Sequence, residues 1–277
     1  MTVVFLLMMT SFFDMGGVKS LDITKGDKVG VLELTGVIFN ARPFVDDLES
    51  FTSYSSVKAI VIRIDSPGGA VAASQEIYNA LKRARQKMPI IVSMGNVAAS
   101  GGYYAALGAD SIVANPGTTT GSIGVIAQLT VLRELMDKIG VKQEVIKSGK
   151  FKDTGSPFRD MTPAEKEILQ QWVDDTYDQF TEAVSLERDI PLEEVRKIAD
   201  GRVFTGRQAL NNGLIDVIGD FDDAVNLAGK MAGIKGQPNI IEKKKRTLTL
   251  WDLLFGDLEG NIKRLSGHQV ELMYILP

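Results

Sequence analysis

Runs of apolar, β-branched residues alternate with stretches of helical character, and this alternation restricts the fold more than any other feature of the 277 residues. Strands are expected near 29–35, 57–64, 89–94, 111–114, 124–127 and 142–146, with helices near 71–86, 98–108 and 129–139. Alternation of this kind argues for βα units around a core parallel sheet. Two strand ends carry small-residue junctions. The run Val57–Ile64 leads into Asp65-Ser66-Pro67-Gly68-Gly69, which is turn chemistry. The run 89–95 leads into Ala99-Ser100-Gly101-Gly102-Tyr103-Tyr104, where a helix is expected to begin.

Ser100 at such a strand-to-helix junction has two readings. It is a helix N-cap, as serines at helix starts usually are, or it is an exposed nucleophile. The chain has no cysteine, which excludes thiol nucleophiles, cysteine metal sites and disulfides, and its only histidine is His268. A serine nucleophile here therefore needs a base other than histidine. Lysine serves once its pKa is lowered, and Lys152 in Gly149-Lys150-Phe151-Lys152-Asp153 is the leading candidate, with Lys147 and Lys150 as competitors. Adjacent glycines leave backbone N–H groups unobstructed, so the amides of Gly69 and Gly101 are the candidate oxyanion donors.

Several ordered motifs carry a family resemblance. They are Ser66-Pro67-Gly68-Gly69, Ser93-Met94-Gly95, Ala98-Ala99-Ser100-Gly101-Gly102-Tyr103-Tyr104 and Thr120-Gly121-Ser122-Ile123-Gly124-Val125, followed by Lys147-Ser148-Gly149-Lys150-Phe151-Lys152-Asp153, Asp200 to Ala209 and Gly213-Leu214-Ile215-Asp216. Over roughly residues 28–235 the sequence resembles the signal peptide peptidase A family of Ser/Lys proteases, peptidase family S49. The resemblance implies a crotonase/ClpP-like α/β superhelix of ββα units, with Ser100 as nucleophile, Lys152 as general base and Ser122 as the serine that orients the lysine. Substrate is implied to add as a strand along Gly68, Ala70 and Val71 and along Gly124, Val125 and Ile126, with small or aliphatic residues preferred before the cut. No metal or cofactor is implied. Long members of the family carry two tandem domains, whereas one Ser-Gly-Gly motif occurs here. A half-length member is implied to assemble as a homo-oligomer, an octameric ring being favoured, with serine and lysine from neighbouring protomers.

The chemistry places a demand on Lys152. A free lysine titrates near ~10.4 and must fall to roughly 7–8 to act as a base, a change of about 4 kcal/mol. Desolvation has to supply much of it, completed by substrate, and Asp153 is expected to turn away from the amine.

The remaining organisation is read as a segment 1–14, a linker 15–27, the peptidase domain 28–235 and a tail 236–277. Thr2 to Phe13 is an uncharged stretch of 12 residues. It is shorter than the ~20 residues that a spanning helix needs, and is read as the remnant of a membrane anchor whose first part lies upstream, with the catalytic domain outside the bacterial cytoplasm. A net charge of −4 gives no electrostatic case for nucleic acid. Thr162-Pro163-Ala164-Glu165 reads as a capped helix start, and Leu169, Trp172, Val173, Thr176, Phe180 and Val184 as a core or subunit-contact stripe on that helix. The apolar stretch Leu272 to Leu276 is a candidate to lie in the active-site groove as an autoinhibitory or processed segment. Three activities fit these readings: a membrane-anchored endopeptidase acting on apolar peptides such as remnant signal peptides or misfolded membrane and secreted proteins, a crotonase-type acyl-CoA enzyme, and a catalytically silent membrane scaffold.

Overall fold

The computed structural model describes residues 26–243 and 273–275. Its backbone is a sheet in which β7 (Val203–Thr205), β6 (Thr119–Gly121), β4 (Ile90–Ala99), β2 (Val57–Ser66), β1 (Lys28–Thr35) and β9 (Asn239–Glu242) lie side by side in that order, with β5 (Ser111–Ala114) beside β4 and β8 (Val217–Ile218) beside β5. The central strands are β1 (Lys28–Thr35), β2 (Val57–Ser66) and β4 (Ile90–Ala99). They pair in parallel, Val31 opposite Val61 and Ile62 opposite Val92. β4 has two further partners. Its first half, Ile91 to Met94, pairs with β5 (Ser111–Ala114), and its last residues, Val97 to Ala99, pair with β6 (Thr119–Gly121). The sheet therefore forks at β4.

β2 is buried along most of its length because both faces of the sheet are covered, as parallel sheets require. On one face lie α1 (Arg42–Ser53), α2 (Val71–Arg85), α3 (Gly101–Ala106) and part of α5 (Pro163–Arg188). The expected segments 71–86 and 98–108 correspond to α2 and α3, although the second begins later because β4 runs on to Ala99. α1 buries Phe44, Leu48 and Phe51 at helical spacing, and Phe51 reaches β1 over Gly30, where a Cβ would stand 2.5 Å from its ring. The other face carries α8 (Phe221–Met231), packed through Ala224, Val225 and Ala228 on Val29, Val61 and Ile91.

Three expectations differ from the structure. Residues 142–146 form no strand and are exposed, and 124–127 contain only an isolated bridge at Ile126. The segment 129–139 narrows to α4 (Arg133–Ile139), in which no residue is buried. Beyond residue 235 the described residues contribute β9 (Asn239–Glu242) beside β1 and β10 (Met273–Ile275) beside β3 (Gly68–Ala70). The expected anchor, Thr2 to Phe13, lies outside the described residues. Among the described residues no helix is long and apolar enough to cross a membrane.

The remaining elements are short: α6 (Leu192–Ile198), β7 (Val203–Thr205), α7 (Gly206–Asn211) and β8 (Val217–Ile218). β7 runs antiparallel to β6 and closes the rim beside the end of β4. Tyr103, fully buried, donates to Leu214 O at 2.9 Å and ties α3 to this later part of the chain.

Ile62 sits in the middle of β2 at 0% exposure. Ile62→Ala is expected to cost about 2–5 kcal/mol through lost burial and a residual cavity, measured as a shift in urea midpoint at unchanged slope.

Candidate active site

The chain ends of β2, β4 and β6 converge on one rim of the sheet, and the two small-residue junctions lie there side by side. Ser66 closes the end of β2: its hydroxyl donates to Gly36 O at 2.6 Å and accepts from Gly68 N at 3.1 Å. This fixes the turn into β3. On one side β3 is bound to Ile38, with Ile38 N on Gly68 O at 2.8 Å and Ala70 N on Ile38 O at 2.7 Å. Because backbone groups alternate along a strand, the N–H and C=O of Gly69 face the opposite side.

Ser100 follows β4 and occupies the N-cap position of α3, but it does not cap. Its φ of 52° and ψ of −114° lie in a region that side chains with a Cβ avoid. The backbone is held there by Ser100 N donating to Gly121 O at 2.8 Å and Tyr104 N donating to Ser100 O at 2.8 Å. The hydroxyl is buried and has no hydrogen-bond partner among the described residues. A buried hydroxyl left unpaired costs about 1–3 kcal/mol. Strain and an unpaired polar atom at a single residue mark a functional position rather than a cap.

Ser122 stands beside it. β6 pairs with β4 so that Gly121 lies opposite Ala99, and Ser122 and Ser100 are the next residue on each strand. Ser122 also has positive φ, at 50°, and is buried, its N–H donating to Arg202 O at 2.9 Å.

The glycines of the rim are packed backbone to backbone. A Cβ on Gly101 would lie 3.1 Å from Gly69 N, and one on Gly68 would lie 2.6 Å from Gly101 N. The amides of Gly69 and Gly101 are thus neighbours across a space that only glycine leaves open.

That space holds β10. Tyr274 lies opposite Gly69 in an antiparallel pair, Met273 opposite Ala70 and Ile275 opposite Gly68. On the far side Met273 exchanges both backbone bonds with Ile126, at 3.2 and 3.3 Å. The segment is an extended peptide clasped between β3 and Ile126, with Gly124 and Val125 leading into the second edge and Val71 opening α2 behind the first. The Tyr274 carbonyl oxygen lies against the glycine junction, 3.0 Å from where a Cβ on Gly101 would stand. The ring of Tyr274 is fully buried, stacked on Tyr104 at 5.2 Å between centroids and tilted against Phe180 at 4.7 Å, and its hydroxyl donates to Thr176 O at 3.0 Å. Burial pushes the Tyr274 hydroxyl above its ordinary value and that of Tyr104 up to about 12. The stripe on α5 divides here: Trp172 is exposed, whereas Thr176 and Phe180 contact the peptide in the groove, a role that helical periodicity did not disclose.

Lys152 is not hydrogen-bonded to Ser100. It is exposed, in a turn where its N–H donates to Gly149 O at 3.2 Å, and it forms no ion pair among the described residues. Asp153 turns to other cations, Lys147 and Arg159, the latter through Nε at 2.9 Å. Lys150 lies over the Phe151 ring. Arg159 also binds Glu165, whose carboxylate accepts from Thr162 N at 2.8 Å in the capping box that starts α5. The Lys152 loop is thereby fastened to a helix start. His268 lies outside the described residues.

The parallel sheet and its forked strand are those of the ClpP/crotonase-like α/β class, and residues 40–120 match the Clp protease family. Residues 82–235 match peptidase family S49, and the chain belongs to this family, that of the signal peptide peptidase A proteins. A protein of Synechocystis sp. with a provisional protease name is 45% identical over 208 residues, 75% of each chain. A similarly named protein of Methanocaldococcus jannaschii is 34% identical over 239 residues, 81% of this chain and 76% of that one. The chloroplastic serine protease SPPA of Arabidopsis thaliana is 36% identical over 230 residues, 82% of this chain and 34% of that longer one.

Two outcomes follow from this geometry. Ser100→Gly relieves the positive φ and Ser100→Ala does not, although both remove the unpaired hydroxyl. The glycine variant is expected to be the more stable by about 1 kcal/mol, read from paired denaturation curves. Arg159 holds the Asp153 and Glu165 carboxyls well below the usual carboxylate range. A lowered pKa stabilises above the unfolded values near ~4 and loses that contribution as pH falls through and below them. Hydrogen exchange in 147–160 should thus reveal equal anchoring between about pH 8 and 5, weakening below about pH 4. In Arg159→Gln the loop should open at every pH.

Proposed function

We propose that the protein is a membrane-associated serine endopeptidase of apolar peptides, remnant signal peptides among them, acting through an acyl-enzyme. The observation that carries this reading is the extended segment in the groove: a backbone carbonyl lies at the Gly68–Gly101 junction beside a strained, buried and unpaired serine hydroxyl. In the reaction Ser100 Oγ attacks a carbonyl carbon held at that place and gives its proton to Lys152 Nζ. The amides of Gly69 and Gly101 donate to the resulting oxyanion. Collapse breaks the C–N bond, and the departing amine takes the proton from Lys152. Water then attacks the ester and gives a proton to Lys152, the C–Oγ bond breaks, the leaving Ser100 oxygen takes that proton back from Lys152, and the acid product departs. Ser122, next to Ser100 at the ends of paired strands, is suited to accept from the lysine amine and aim it.

The exposure of Lys152 supports a shared site. A base with a lowered pKa needs a dry setting, and the segment that presents it leaves Val131, Leu135, Ile139, Val141, Val145 and Ile146 exposed, Ile146 at 102%. An apolar face of this extent is suited to burial against another copy. In our reading neighbouring protomers of a ring, eight in number, bring Lys152 of one to Ser100 of the next. The uncharged run Thr2 to Phe13 supports attachment to the bacterial membrane, with the ring outside the cytoplasm.

A fluorophosphonate probe should label Ser100, and Ser100→Ala and Lys152→Ala should each abolish peptide hydrolysis, while Lys150→Ala and His268→Ala retain most of it. Equal mixing and reassembly of the two inactive variants should restore roughly a quarter of the sites, since one intact serine must meet one intact lysine across a head-to-tail contact. Mixed rings as inactive as either parent would show that the dyad belongs to one chain, and full turnover by Ser100→Ala would end the serine-protease reading.

A further inference from the structure

The ionisable side chains between 147 and 165 are Lys147, Lys150, Lys152, Asp153, Arg159, Asp160 and Glu165. The fold gives every carboxylate among them to a cation other than Lys152. Both oxygens of Asp153 are taken: Arg159 donates from Nε to Oδ2 at 2.9 Å and brings Nη2 to Oδ1 at 2.9 Å, and Lys147 Nζ also pairs with Oδ1. Glu165, buried at the start of α5, accepts from Arg159 Nη1 at 2.9 Å and from Thr162 N at 2.8 Å. Asp160 is held by Arg133 of α4, which also reaches Asp137. Lys150 lies over the Phe151 ring. Asp153, Asp160 and Glu165 are thus balanced by Lys147, Arg133 and Arg159, and no carboxylate of this loop is left uncompensated.

We propose that Arg159 and Lys147 are positioning residues for catalysis: by engaging Asp153 from two sides they keep the carboxylate that follows the general base away from its amine. The proposal rests on the reading of Lys152 as base. A carboxylate within about 4–6 Å of an amine favours the charged form and raises the pKa by about 1–3 units. Asp153 is the covalent neighbour of Lys152 and so the carboxylate best placed to do this, above all once a second copy has excluded water from the amine. The two cations prevent it. Arg159 first, and Lys147 second, hold the Asp153 carboxyl well below the usual carboxylate range, so the clamp stays charged across neutral and alkaline pH. The planar guanidinium of Arg159 serves two carboxylates at once, and because the second, Glu165, belongs to α5, the clamp takes its direction from a helix rather than from the loop. Lys147, a competitor for the role of base in the sequence, is used here as a cation.

The test is the dependence of kcat/KM on pH, followed from about pH 6 to 10 in the full chain. Lys147→Gln removes one cation from Asp153 and leaves the loop fastened through Arg159 and Glu165. The acidic limb of its profile is expected to rise by about one unit, a roughly tenfold loss at pH 7 that is recovered as the pH is raised. Arg159→Gln/Glu165→Gln replaces the buried pair by two amides and should raise the limb further, by up to about three units. Adding Asp153→Asn to either variant should return the limb to its wild-type position, and Asp153→Asn alone should not raise it. A clamp that only holds the loop would instead lower the rate at every pH, or leave the limb displaced after Asp153→Asn; either result overturns the proposal, as does a limb raised by Asp153→Asn alone. A second readout needs no turnover: the pH midpoint for acetylation of Lys152 by acetic anhydride, read by mass spectrometry with Lys230 on α8 as internal control, should show the same shifts and the same rescue. Midpoints that move in this way in a protein that hydrolyses no peptide defeat the peptidase mechanism and leave the clamp standing. Hydrolysis whose limb and midpoint ignore Lys147→Gln and the double amide defeats the clamp and leaves the peptidase.

Discussion

The absence of three Cβ atoms at the sheet rim is the constraint on which the site depends. Gly68, Gly69 and Gly101 bring β3, the start of α3 and an incoming strand within backbone contact of one another. A Cβ on Gly69 would lie 2.0 Å from Ile38 O, and one on Gly68 the same distance from Tyr274 O. These positions would clash with fixed main chain rather than with movable side chains. The sheet supplies the rest: three parallel strands ending at one level deliver Ser66, Ser100 and Ser122 to a single rim.

Ser100 is the point at which local preference and global fold disagree. Its sequence setting favours an N-cap, yet its hydroxyl is withdrawn from the helix and its backbone is held at positive φ by hydrogen bonds to Gly121 and Tyr104. The surrounding parallel ladder overrides the residue's own preference, and the energy stored is comparable to that of a buried hydrogen bond.

Much of this was legible from the chain because it is encoded locally. The two strands that lead into the small-residue junctions, the glycine pairs beyond them, and the capping box of Thr162 and Glu165 are short-range patterns, and the structure contains each of them, with the strands running on to Ser66 and Ala99. The misread segments share a different cause. The runs 124–127 and 142–146 have the composition of strands, but a strand also requires a partner edge, and no β-propensity supplies one. α1 was overlooked because its apolar positions are few, and β9 and β10 because they find their partners at the opposite end of the sequence. The contacts of Thr176 and Phe180 with Tyr274 were hidden for the same reason: periodicity assigns them to a face of α5 without saying what that face meets.

One consequence of α5 extends beyond either site taken alone. Its first turn is riveted through Glu165 and Arg159 to the loop that presents Lys152, and further along it holds the Tyr274 side chain through Thr176 O and the Phe180 ring. From Glu165 to Thr176 an α-helix advances only about 16 Å. A continuous helix of this length behaves as a stiff strut, so the two attachments share its rotations and translations. The loop end and the groove end are thus a single mechanical component, and a displacement of one is geometrically a displacement of the other.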